Sequence, residues 1–164
     1  MQCFASPVLA LLLLFQGPAS NDAADGLKAL EEQRWDAAVA SLTKAVGADP
    51  KNFALHFNLA FGLSMAGRTA EAIREYKSTL EQKPGLYEAE LNLGVLLLGQ
   101  KQTAEAIPLL QNAVRQKPDQ FRPNWYAAEA MLAGGKAADA IPLFRKAVEI
   151  DPKSRDATIG LARA

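Results

Sequence analysis

Residues 84–118 read PGLYEAELNLGVLLLGQKQTAEAIPLLQNAVRQKP, a stretch that opens and closes on proline. Between the prolines lie two apolar patterns of helical period. Leu93, Leu96 and Leu97 share one face, and Ile107, Leu110, Ala113 and Val114 share another. The patterns are separated by a polar turn, Gln100-Lys101-Gln102. The closing proline has no N–H and restricts the residue before it, so the second helix must stop there. Pro50 and Pro152 extend the series in both directions. Pro50, Pro84, Pro118 and Pro152 each follow the last by 34 residues, every one after a helical run. Four stops in register mean four copies of one helical hairpin.

With the proline at position thirty-two, the repeats span about 19–52, 53–86, 87–120 and 121–154, and residues 155–164 begin a fifth. Position eight is small throughout: Gly26, Ala60, Gly94 and Ala128. Position twenty is Ala38, Ala72, Ala106 and Ala140, and position twenty-seven is Ala45, Thr79, Ala113 and Ala147. Position twenty-four is large: Leu42, Tyr76, Leu110 and Phe144. Small against large is how two helices interdigitate at close range. Gly67 and Gly135 are expected to supply left-handed residues at the hairpin turns. Thr69 and Thr103 are expected as N-caps, with Glu71 and Glu105 in the first turn near the positive end of the dipole. Pro108 and Pro142 each forfeit one backbone hydrogen bond in a second helix.

This pattern resembles the tetratricopeptide repeat from Ala19 to Ser154. The resemblance implies an all-α solenoid of antiparallel hairpins wound into a right-handed superhelix. There are departures from the family habit. Position four, often tryptophan, holds Asp22, His56, Glu90 and Asn124; position eleven, often tyrosine, holds Ala29, Leu63, Leu97 and Met131. Asp25 stands where leucine is usual at position seven.

The resemblance further implies a concave groove lined by the first helix of each repeat, with a peptide or protein segment as ligand. Its positions here are Phe57, Asn58 and Phe61 in repeat two, and Leu91, Asn92 and Val95 in repeat three. Repeat four contributes Arg122, Trp125, Tyr126 and Glu129. Two readings of Asn58 and Asn92 stay open. A carboxamide donates and accepts, so the pair could track a ligand backbone, or each could bond a neighbouring helix. Phe57, Phe61, Trp125 and Tyr126 are expected together on an exposed face, a costly patch unless a partner covers it. Arg115 and Lys146 are expected on the outer face, away from binding. The lysine-rich carboxylate clamp of chaperone-tail receptors is not matched, because Phe57 and Glu88 occupy two of its positions.

Composition narrows the function classes. Eighteen basic and eighteen acidic residues balance to a net charge of zero. That argues against nucleic acid as a partner, since phosphate-driven affinity needs a basic face. The sole histidine, His56, has no cysteine or HExxH-like company, and Gly134-Gly135 lacks the spacing of a phosphate loop. No cofactor, metal or small-molecule substrate is expected, and no enzyme activity.

Residues Phe4 to Phe15 form a charge-free apolar run of about twelve, short of the roughly twenty that span a bilayer. Small residues at Gly17 and Ala19 suit a signal cleavage after Ala19. Residues 1–19 are therefore expected to export the chain, to the periplasm or outside if the source is bacterial. The n-region, Met1-Gln2-Cys3, lacks Lys and Arg. An uncleaved membrane anchor over residues 4–15 and a structural helix are the other two readings. Cys3, the only cysteine, falls in this leader. Two functional classes follow: an interaction scaffold of the cell envelope, or the N-terminal module of a longer enzyme.

Overall fold

The computed structural model describes residues 21–164, so the leader expected over residues 1–19 lies outside the described residues. Helices and turns account for the described chain, with no strand among these residues. Two compact parts meet at Pro84 and Gly85. The N-terminal half holds α1 (Asn21–Glu31), α2 (Trp35–Ala48), α3 (Phe53–Met65) and α4 (Thr69–Gln82). The C-terminal half holds α5 (Tyr87–Gly99), α6 (Thr103–Gln116), α7 (Phe121–Ala133), α8 (Ala137–Ile150) and α9 (Arg155–Arg163). Within each half the helices pack chiefly on their neighbours in sequence, as hairpins.

The small positions sit at the helix crossings. Ala38, Ala72, Ala106 and Ala140 are all fully buried, as are the large residues Leu42, Leu110 and Phe144. Crossing is closest at the glycines. A methyl group on Gly26 would lie 2.6 Å from Leu42 Cγ, and one on Gly94 would lie 2.7 Å from Leu110 Cγ. On α9, Gly160 makes the same approach to the ring of Phe144. Helix spacing in the core is thus set by the absence of single methyl groups.

Each hairpin turn needs one left-handed residue at position fifteen. Gly67 and Gly135 fill it at φ 75° and 73°, as expected. Gln33 and Lys101 fill it in the other two hairpins, at φ 57° and 60°. In every case the next N–H reaches back into the helix: Arg34 to Ala29 O, Arg68 to Leu63 O, Gln102 to Leu97 O and Lys136 to Met131 O, at 2.8–2.9 Å. That long return bond is the Schellman closure. A side chain at positive φ costs roughly 1–2 kcal/mol that glycine avoids. Lys101→Gly should therefore raise stability by about 0.5–1 kcal/mol, after glycine's larger entropy loss. A urea midpoint that falls for this variant would show that the lysine side chain contributes more than its backbone strain removes.

The prolines behave as their chemistry requires. Asp49, Lys83, Lys117 and Asp151, each just before a repeat proline, have φ between −136° and −130°. Pro108 and Pro142 lie inside continuous helices, and the residues four before them, Ala104 and Ala138, are exposed, so water can take the freed carbonyls. The expected threonine caps are corrected. Arg68 and Gln102 hold the N-cap positions and make no side-chain cap, while Thr69 and Thr103 are already the first helical residues. Side-chain caps occur instead at Asn52, which accepts from the Ala54 and Leu55 N–H groups, and at Ser154, which accepts from Ala157.

Position four shows how the chain manages without a tryptophan. His56, Glu90 and Asn124 are buried there, and all three are hydrogen-bonded. His56 Nδ1 lies 2.6 Å from Glu75 Oε2 and its Nε2 3.0 Å from Pro50 O. The Asn124 amide donates to Pro118 O and Gln120 O, each at 2.7 Å. Glu90 accepts from Asn112 Nδ2 at 2.9 Å and from Gln116 Nε2 at 2.7 Å. Polar ties from first helix to turn or second helix replace an aromatic plug.

Candidate peptide-binding face

In the N-terminal half the expected groove residues are enclosed. Phe57 is 0% exposed and Phe61 7%; Phe57 meets Tyr76 edge-on at 5.5 Å and Phe61 meets Trp35 edge-on at 6.2 Å. The expectation that four aromatics share an exposed face is therefore corrected for these two. The reason is legible in α3, which reads FALHFNLAFGLSM and is buried continuously from Ala54 to Leu63. A helix that is apolar all round goes inside. Asn58 is 1% exposed, and neither its Nδ2 nor its Oδ1 finds a hydrogen-bond partner. It makes no bond to a neighbouring helix, so that reading fails for Asn58. An unpaired amide in such a place costs on the order of 1–3 kcal/mol until an acceptor and a donor reach it.

The C-terminal half carries the accessible part. On α5, Leu91 is buried, while Asn92 and Val95 are half-buried. On α7, Arg122, Trp125, Tyr126 and Glu129 are all half-buried. Trp125 lies nearly parallel to Phe121, ring centres 6.2 Å apart at 14°, and touches Tyr126 at 4.6 Å. Its indole Nε1 is buried and donates to nothing. Phe121 was not among the expected groove residues. Its four-residue spacing from Trp125 was the available signal.

Charge around this cluster is partly spoken for. Lys117 Nζ sits 3.9 Å from the centre of the Tyr87 ring and 3.4 Å from Glu88 Oε1. Glu129 faces Arg163 of α9 at 3.8 Å. Tyr87 donates to Gln120 Oε1 at 2.9 Å. Burial pushes the Tyr126 phenol up, and the nearby Arg122 guanidinium pulls the other way. Burial likewise raises Tyr87, again opposed by Arg122. Arg122 thus lies within electrostatic reach of both rings.

Lys146 bridges Asp119 at 3.1 Å and Glu149 at 3.2 Å, tying α8 to the turn before α7. Arg145, exposed and in no ion pair among the described residues, is the simpler neutral position. An open recess of about 480 Å³ lies between α6 and α8, with Val114, Met131, Pro142 and Leu143 among its lining residues. No group of His, Cys, Asp and Glu among the described residues could hold a metal. No described helix is long and apolar enough to cross a membrane.

Sequence models of the tetratricopeptide repeat match residues 24–87, 63–132 and 125–154. The chain belongs to the tetratricopeptide repeat family. Among solved tetratricopeptide repeat structures, YrrB superposes with a TM-score of 0.82 at 18% identity, over 96% of this chain and 81% of that one. MamA from Desulfovibrio magneticus RS-1 superposes with a TM-score of 0.80 at 20% identity, over 85% and 79% of the two chains. A tetratricopeptide repeat protein from Parabacteroides merdae gives 0.75 at 21% identity, over 87% and 57%. At such identities the likeness is one of fold. No curated protein matches this sequence significantly. As a member of this family, the chain is a protein–protein interaction scaffold in the general sense in which these repeats bind protein or peptide partners.

Proposed function

We propose that this chain binds a peptide or protein segment along the first-helix faces of its repeats, with the face of α7 as the dominant contact, and that it works in the cell envelope. The observation that carries the binding reading is Trp125, half-exposed between Phe121 and Tyr126 with its indole N–H unsatisfied. Aromatics of this kind are the usual anchors of an interface. YrrB is described as having an unusual peptide-binding site, which shows that this fold can hold a peptide. The envelope reading rests on the apolar run from Phe4 to Phe15.

The full chain used as bait in an extract of its native cells should retain a defined partner. Trp125→Ala should weaken that binding by roughly thirtyfold, the loss typical of a central anchor. Arg145→Ala should leave it within about twofold, as befits an exposed position away from the face. Helical circular dichroism should be unchanged in both. If Trp125→Ala binds as the parent does, the α7 face is not the site.

A further inference from the structure

We infer that the segment held by the C-terminal half presents an acidic side chain, an Asp or Glu carboxylate, to Arg122. The inference rests on the reading of α7 as the binding face. Arg122, Trp125 and Tyr126 stand at spacings of three and four residues, so they share one side of α7. Glu129, on the same helix, already faces Arg163, and Glu88, next to Tyr87, already faces Lys117. Arg122 pairs with no carboxylate among the described residues. It is half-buried, near two aromatic phenols, where a lone guanidinium gains most from an anion.

The second observation is independent of charge. The buried Trp125 N–H has no acceptor, and an indole can only donate. Arg122 too has only donors to offer. A ligand group that accepts several hydrogen bonds and carries negative charge answers Arg122 directly, and the indole N–H once the Trp125 ring turns it to the surface. One free guanidinium balances one negative charge, which favours a carboxylate over a phosphate dianion, since Lys117 is engaged by Glu88. The residue beside the acid in the ligand would lie on the stacked Phe121–Trp125 pair and is expected to be apolar or aromatic.

The test is selection of short random peptides displayed on phage against the full chain, with Trp125→Ala as the counter-selected surface. Selected peptides should share an acidic residue next to an apolar one. In synthetic copies, Glu→Gln at that place should weaken binding about tenfold, the size of a charge-assisted hydrogen bond. On Arg122→Gln the Glu and Gln peptides should bind alike, while Arg122→Lys should keep part of the difference. Added salt should erode the preference, because the site is only half-buried. Selected peptides without an acidic residue would overturn the inference and leave the binding face standing. So would a Glu-to-Gln difference that persists on Arg122→Gln. A phosphoserine copy that binds while Glu and Gln copies are equal would replace the carboxylate by a phosphate. If nothing is selected over Trp125→Ala, the binding face itself fails and this inference falls with it.

Discussion

Replacing Asn112 and Gln116 together by alanine should lower the stability of the C-terminal half by about 3–5 kcal/mol, the cost of stripping donors from a buried charge. Glu90 is only 4% exposed, and these two amides donate to its two carboxylate oxygens. Asn112 in turn accepts from the Arg115 guanidinium, so the buried carboxylate is linked through an amide to a cation at the surface. Removing either amide should cost less than half the double loss, because the survivor still solvates the carboxylate. The deficit belongs to the stranded charge and not to lost packing. Adding Glu90→Met to the double variant should therefore recover most of it, since an apolar replacement of similar length needs no donors. Urea titrations followed by circular dichroism measure all four proteins. A double variant within about 1 kcal/mol of the parent would mean that water reaches Glu90 freely.

At Gly94 the same substitution should change sign with its neighbour. Leu110→Ala should cost about 2–5 kcal/mol, because a fully buried leucine leaves a hole that the two helices close only partly. Gly94→Ala alone should cost about 1–2 kcal/mol: its methyl would meet Leu110 Cγ at 2.7 Å and Cδ2 at 2.8 Å. In the Leu110→Ala background that clash is gone. There the added methyl fills space and removes a helical glycine, so Gly94→Ala should stabilise by up to about 1 kcal/mol. Strict additivity of the two changes would show that α5 and α6 are not held at the distance Gly94 allows.

Most of the fold is legible in the sequence alone. The 34-residue step between prolines placed the end of each second helix to within about two residues, because a missing N–H is a local, unconditional signal. Gln33 and Lys101 were invisible by comparison. Their positive φ is imposed by the hairpin around them, and nothing in either side chain announces it. The hydrogen bonds of His56 and Glu90 were hidden for another reason. Their side-chain partners lie 19 to 26 residues away, and only the packed hairpin brings them together. The proposed binding face was half legible. Helical spacing put Trp125 and Tyr126 on one side, but counting positions could not say that Phe57 and Phe61 would be enclosed. That information was present in the unbroken apolar run of α3, and it outweighed the positional analogy.

Gly26 faces Leu42 and Gly94 faces Leu110, whereas the same two places in the other hairpins hold Ala60 with Tyr76 and Ala128 with Phe144. Turn residues alternate in step, Gln33 and Lys101 against Gly67 and Gly135. The backbone thus repeats every 34 residues, but its chemistry repeats at twice that interval, with Gly94 falling 68 residues after Gly26. This restricts how pieces of the chain can be shuffled. A single helix moved into the adjacent hairpin would set an alanine methyl against a leucine branch, or a glycine gap against a ring. A whole hairpin carries both members of its pair and travels intact. The exchange that disturbs least is between hairpins two places apart, so recombination in such a gene would be tolerated at some breakpoints and refused at others one helix away.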